Sequence, residues 1–98
     1  MATTIKGHKA IEKEVAQWRT ALFKTLKAMR NDADLTQEGL AELLGKTTSQ
    51  VTNLERGHSA IRVTELFRIA LVCGVPPAEA MALIVRYFNN APRASSDR

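Results

Sequence analysis

From Ile11 onward, apolar residues return at every third or fourth position: Ile11, Val15, Trp18, Leu22, Leu26 and Met29. That spacing lines one face of a helix. It predicts a single long amphipathic helix over about residues 8–31, with Lys13, Lys24 and Lys27 on its wetter faces. The polar run "NDAD" ends it. Thr36 predicts the N-cap of a second helix; Gly39 stands where a capping-box Glu would, and Glu38 still favours the positive helix end. This helix runs through Leu40, Leu43 and Leu44 to Gly45, a left-handed stop. Thr47 caps a third helix over 48–56, which ends at Gly57. A fourth runs from about Val63 to Cys73 with Leu66, Phe67, Ile69, Ala70 and Val72 apolar, and stops at Gly74. The prolines of "VPP" suit the first turn of a fifth helix, which carries Met81, Leu83, Ile84, Val85, Tyr87 and Phe88 up to "NN". There is no strand alternation, repeat or low-complexity tract. The class is all-α, with five helices. Residues 1–10 are expected to form a flexible basic arm, 11–90 the folded domain, and 91–98 a disordered tail.

Composition narrows the picture only modestly. The 98 residues suffice for one domain and one core. No apolar run nears the roughly 20 residues of a membrane span, and "MATTIKGHK" lacks the apolar stretch of a secretory signal. The single cysteine, Cys73, excludes an internal disulfide framework and fits a reducing, cytoplasmic setting. On the apolar face of the fourth helix it reads as inert core. Trp18 reads as a core or interface residue, and His8 and His58 as surface side chains. No His/Cys/Asp cluster has metal-ligand spacing. No Ser/His/Asp set, paired carboxylates or glycine-rich phosphate loop is present, so neither an enzyme nor a cofactor is expected.

Charge adds more. The net +4 is uneven: residues 1–30 hold seven Lys/Arg against two Glu, a local +5, while 31–60 hold two against five Asp/Glu, a local −3. A basic chain favours polyanions. The acidic middle argues against indiscriminate phosphate binding.

That acidic middle contains the third helix, "KTTSQVTNLERG". Val51 and Leu54 can face a core, but the remaining positions are Thr, Ser, Gln and Asn, mediocre helix formers that a helix built only for stability would avoid. The second and third helices are joined by "GKT" alone, with small Ala41 where they cross. This is the arrangement in which a second helix enters a DNA major groove. Asn53 and Gln50 offer the bidentate amide that matches adenine. Thr48, Ser49 and Thr52 offer hydroxyls, and threonine also a methyl for thymine.

"LTQEGLAELLGKTTSQVTNLERG" resembles the lambda-repressor/Cro-type helix-turn-helix family, and "TELFRIALVCGV" is similar to that family's fourth helix. The resemblance covers about Leu22 to Leu83 and implies a five-helix lambda-repressor-like fold with the helix-turn-helix at 36–56; the extended N-terminal helix departs from it, starting about a dozen residues before the family's usual start. It implies that Gln37 hydrogen-bonds a phosphate, that Thr48, Ser49 and Asn53 read bases with Thr52 and Gln50 nearby, and that Lys46, Thr47, Arg56, His58 and Ser59 clasp backbone. It also implies an ion pair between Arg30 and Glu55. The third helix departs from the pattern by carrying no Arg or Lys on its reading face before Arg56. The strong guanine contact is therefore missing and A/T-leaning recognition is expected, with Lys24, Lys27 and the N-terminal arm supplying phosphate contacts.

The expected function is a sequence-specific double-stranded DNA-binding regulator, acting as a homodimer on a short palindromic operator. The fifth helix is one candidate dimer surface: Met81, Ile84, Val85, Tyr87 and Phe88 spread over more of its circumference than so small a core is expected to cover; the long first helix, with Trp18 and Val15, is the rival. The alternative is a protein-interaction module, antitoxin-like or adaptor, that binds a partner protein. No separate ligand-binding domain fits, so no small-molecule ligand is expected.

Overall fold

The computed structural model describes residues 5–91 and contains five helices. They are α1 (His8–Asp32), α2 (Gln37–Leu44), α3 (Thr48–Arg56), α4 (Val63–Val72) and α5 (Pro77–Asn90). α1 already starts at His8, so residues 8–10 are helix rather than arm; they extend its N-terminal end by most of a turn. Residues 1–4 of the expected arm, and all of the expected tail except Ala91, lie outside the described residues.

The breaks between helices have local causes. Asp34 adopts a left-handed conformation (φ 59°), which short Asp side chains tolerate, and turns the chain out of α1 toward α2. The Thr36 hydroxyl accepts from the Gly39 N–H at 2.9 Å and caps α2. Thr47 and Gln50 form a reciprocal capping box at the start of α3. Gly57 ends α3 at φ 79°, and a Cβ there would collide with the ring of Phe23 on α1. Glycine is thus required at position 57 twice over, by conformation and by contact.

The core lies where α1, α2, α3 and α4 converge: Leu26, Met29, Leu40, Val51, Leu54, Leu66 and Ile69, with Ala41, Ala70 and Ala80 at the close crossings. Thr25 is fully buried, and its hydroxyl is satisfied by the Ala21 carbonyl at 2.9 Å. At 1.5 Å per residue α1 is about 37 Å long, so it sets the long 42 Å axis of the molecule.

That length changes the reading of α5. α1 and α5 pack together along much of their length, and Trp18 stacks on Phe88 with ring centroids 3.8 Å apart and planes 5° from parallel. The Trp18 indole N–H is held by Glu14 Oε2 at 3.2 Å, and Glu14 also pairs with Lys6. Leu83 and Ile84 pack against the core, and Tyr87 is half-buried. The apolar surface that α5 leaves open is therefore narrower than expected: Trp18 of α1 stacks on Phe88, and Ile84 packs against the core. What stays exposed is Met81 and Val85 on α5, together with Ile11 and Val15 on α1. No single helix among the described residues is long and apolar enough to cross a membrane.

Candidate nucleic-acid interface

α3 presents two faces. Val51 and Leu54 are buried beneath it, whereas Thr48, Ser49, Asn53 and Arg56 are exposed and share the opposite side. The acceptors and donors expected of a reading surface are therefore in water. Thr52, between these faces, is half-buried.

Side-chain hydrogen bonds then sort the candidates further. Gln50 gives its amide oxygen to the Thr47 N–H at 2.8 Å, and the Gln50 N–H donates to the Thr47 hydroxyl at 3.1 Å. Its acceptor is spent on the cap. Gln37 is engaged at both ends: its amide N–H donates to Glu55 Oε1 at 3.0 Å, and its carbonyl accepts from the Thr52 hydroxyl at 2.8 Å. An amide nitrogen has two protons, so one N–H of Gln37 is left for another acceptor.

Beneath these lies a charged pair. Arg30 Nε donates to Glu55 Oε2 at 2.6 Å and Nη2 to Oε1 at 3.1 Å, a two-pronged contact. Its third nitrogen, Nη1, donates to the Leu35 carbonyl at 2.8 Å, in the turn before α2. Both side chains are almost wholly buried. One network, Arg30–Glu55–Gln37–Thr52, thus ties α1, the turn, α2 and α3 together directly behind the exposed row.

The flanks of α3 differ in sign. At its C-terminal end Lys24, Lys27 and Thr20 of α1 share a cleft with Arg56, so two lysines more than twenty-five residues away in sequence stand beside the end of the exposed row. At its N-terminal end Lys46, Thr47 and Thr48 share a groove with Glu38 and Glu42. His58 and Ser59 line a groove between α1, the turn after α3, and α5, whose other walls include Trp18, Phe23, Ile61 and Met81. Two residues escaped the sequence reading. Phe23 lies off the apolar stripe, yet it packs against the core and lies against Gly57. Glu65, in the first turn of α4, reaches Lys46. Burial pushes the Cys73 thiol above its ordinary pKa; nearby Arg30 opposes this and Glu55 adds to it. No group of three metal-ligating side chains occurs among the described residues.

A short capped helix, held by its inner face and offering a polar outer face beyond a tight turn from its predecessor, defines the helix-turn-helix class of DNA-binding domains. Residues 26–79, more than half of the chain, match the helix-turn-helix family of Cro/C1 type, and the chain belongs to that family. Its fold is the all-α lambda-repressor-like one. Comparison with curated proteins and with solved structures gives no match. The chain is in general terms a DNA-binding helix-turn-helix regulator.

Proposed function

We propose that this chain is a sequence-specific duplex-DNA-binding transcriptional regulator in which Thr48, Ser49 and Asn53 read base edges in a major groove. The observation that carries this is the exposed row on α3 backed by the buried Arg30–Glu55 pair and the half-buried Gln37–Thr52 bonds that extend it. A reader must hold its side chains rigidly against the groove, and such a network does so from behind. Asn53 suits adenine and the threonine methyl suits thymine. Lys24, Lys27 and Arg56 serve backbone at one end and Lys46 and Thr47 at the other, with the free N–H of Gln37 beside Thr52. His58 and Ser59 extend the backbone contacts on the turn after α3. Thr52 and Gln50 act chiefly by fixing their neighbours.

Selection from randomised duplexes tests the reading. An enriched motif, with Asn53→Ala losing about 1–3 kcal/mol and its preference at one base position, supports it. Equal binding of all sequences by the wild type overturns it.

The finer part of the proposal is a two-fold dimer on a palindrome, with α3 helices about 34–36 Å apart. Exposed Val15 and Met81, which line one groove between α1 and α5, support it, since an isologous contact would cover the same patch on both copies. Sedimentation of wild type against Val15→Asp plus Met81→Asp decides. A dimeric wild type and monomeric variant are expected; a monomeric wild type at high concentration sinks the dimer. A second reading, a protein-interaction module, draws support from Glu38 and Glu42 beside Thr48. It prevails if selection yields no motif while a protein partner binds through this face.

A further inference from the structure

α4 opens with a carboxylate that does more than complement a helix end. Glu65 lies in a cleft of about 440 Å³ between the start of α3, the turn after it, and α4. Its Oε1 is 3.4 Å from Arg68 Nη1 and 3.6 Å from Lys46 Nζ. Its Oε2 is the one buried side-chain polar atom among the described residues without a hydrogen-bond partner. An acidic residue in a first turn is favoured by the helix dipole, but that attraction does not require burial; Glu38, similarly placed on α2, is exposed. Glu65 is instead sunk in the cleft with its charge balanced by two cations on one oxygen. Lys46, from the turn ahead of α3, lies half-covered over it rather than reaching into water.

We infer that Glu65 withholds Lys46 and Arg68 from DNA phosphate, acting as an intramolecular anion that competes with the backbone for them. This rests on the DNA-binding reading above. Lys46 flanks the end of α3 at which Thr48 and Ser49 stand, where a phosphate strand borders the groove. A phosphate that takes Lys46 must strip it from Glu65 and leave that half-neutralised carboxylate beside a second anion. Attraction to the backbone, which supplies essentially all non-specific binding, is thereby reduced at this edge. The neighbouring glutamates of α2 act in the same direction, but only Glu65 touches the cation concerned. Glu65 is a positioning residue that acts through Lys46 and Arg68.

The test is anisotropy titration of a random-sequence duplex between about 50 and 200 mM salt with wild type, Glu65→Gln, Lys46→Ala and the two combined. Glu65→Gln nearly preserves shape. It is expected to bind more tightly and to steepen the log–log salt slope by about 0.9 for each cation released, a further ~3.5-fold loss of affinity over that salt range. With Lys46→Ala in place the gain shrinks to the share of Arg68. An unchanged or shallower slope, or the same gain without Lys46, overturns the inference, because a merely structural glutamate would weaken binding when removed. Should Glu65→Gln fail to fold, the Lys46 side-chain resonances of wild type decide instead. They are expected to shift when random-sequence duplex binds, as Lys46 leaves Glu65 for phosphate, and to return as added salt displaces the duplex; resonances that duplex leaves unmoved overturn the inference. A wild type that binds no duplex sinks the DNA-binding reading and this inference together, whereas one that binds while Glu65→Gln changes nothing sinks this inference alone.

Discussion

Truncation of Glu55 to alanine tests the buried network most directly. Glu55 accepts from Arg30 Nε, Arg30 Nη2 and Gln37 Nε2, and its side chain is 4% exposed against 10% for Arg30. Without it the guanidinium keeps only the Leu35 carbonyl and stays where water does not reach. An uncompensated charge of this kind costs about 3–5 kcal/mol. In a domain of this size that lowers the thermal midpoint by roughly 15–30 °C. Arg30→Met alone fares similarly, since it strands the carboxylate. Arg30→Met with Glu55→Leu leaves only neutral groups unpaired, the Leu35 carbonyl and a Gln37 N–H, at about 1–3 kcal/mol each, and added apolar packing offsets part of that. The double variant is therefore expected to be more stable than either single one. Urea unfolding followed by circular dichroism measures all three, with the coupling taken from the double-mutant cycle. Small and additive effects, under about 1 kcal/mol each, would refute the reasoning and show the two charges to be effectively solvated.

Other consequences are open to measurement. Lys24→Ala with Lys27→Ala is expected to weaken binding to all duplexes alike and to flatten the salt slope by about 0.9 for each phosphate no longer neutralised; a change in base preference would contradict a backbone role. Gly57→Ala must hold a side chain in the left-handed region and push Phe23 aside, which together cost about 2–5 kcal/mol in urea unfolding; a loss below about 1 kcal/mol would mean that the turn simply re-forms. The raised thiol pKa of Cys73 means slower alkylation by iodoacetamide at mildly alkaline pH in the folded than in the urea-unfolded chain. Its linked stability is fully present below the unfolded thiol pKa and is lost as pH rises through the folded one. Equal alkylation rates would contradict burial as the cause.

Periodicity and capping chemistry made most of the helix-turn-helix legible. The bounds of α3 follow from Thr47 and Gly57, and those of α2 from Thr36 and Gly45, because both signals act within a turn or two of the residue that carries them. The polar row on α3 could be read for the same reason. What escaped depends on which helix faces which. Apolar spacing shows that α5 has a wide apolar face, but not that the first half of α1 lies across it and stacks Trp18 on Phe88. Residue type marks Gln37, Gln50 and Thr52 as able to meet DNA. The Gln50 cap is local to Thr47, and its Thr-x-x-Gln spacing is in the sequence. Residue type does not reveal that the Gln37 carbonyl, one Gln37 N–H and the Thr52 hydroxyl are already committed, since Gln37 meets Thr52 and Glu55 only after three helices pack. Glu65 was invisible for the same cause: its partner Lys46 lies on another element.

The capping box at the start of α3 bears on how such a protein can change its target. Position 50 sits in the helix proposed to read bases, yet the amide oxygen there closes the helix end on the Thr47 N–H. Arginine or lysine, the residues that read guanine, have no acceptor to offer in its place. Converting position 50 to a guanine reader therefore loosens the first turn of the helix that is meant to present it, with only the Thr47 hydroxyl left to cap it. New specificities are more accessible through Thr48, Ser49 and Asn53, whose side chains carry no cap. A library that randomises those three while holding Thr47 and Gln50 keeps the whole capping box, whereas one that also varies Gln50 gives up half of it, at about 0.5–2 kcal/mol.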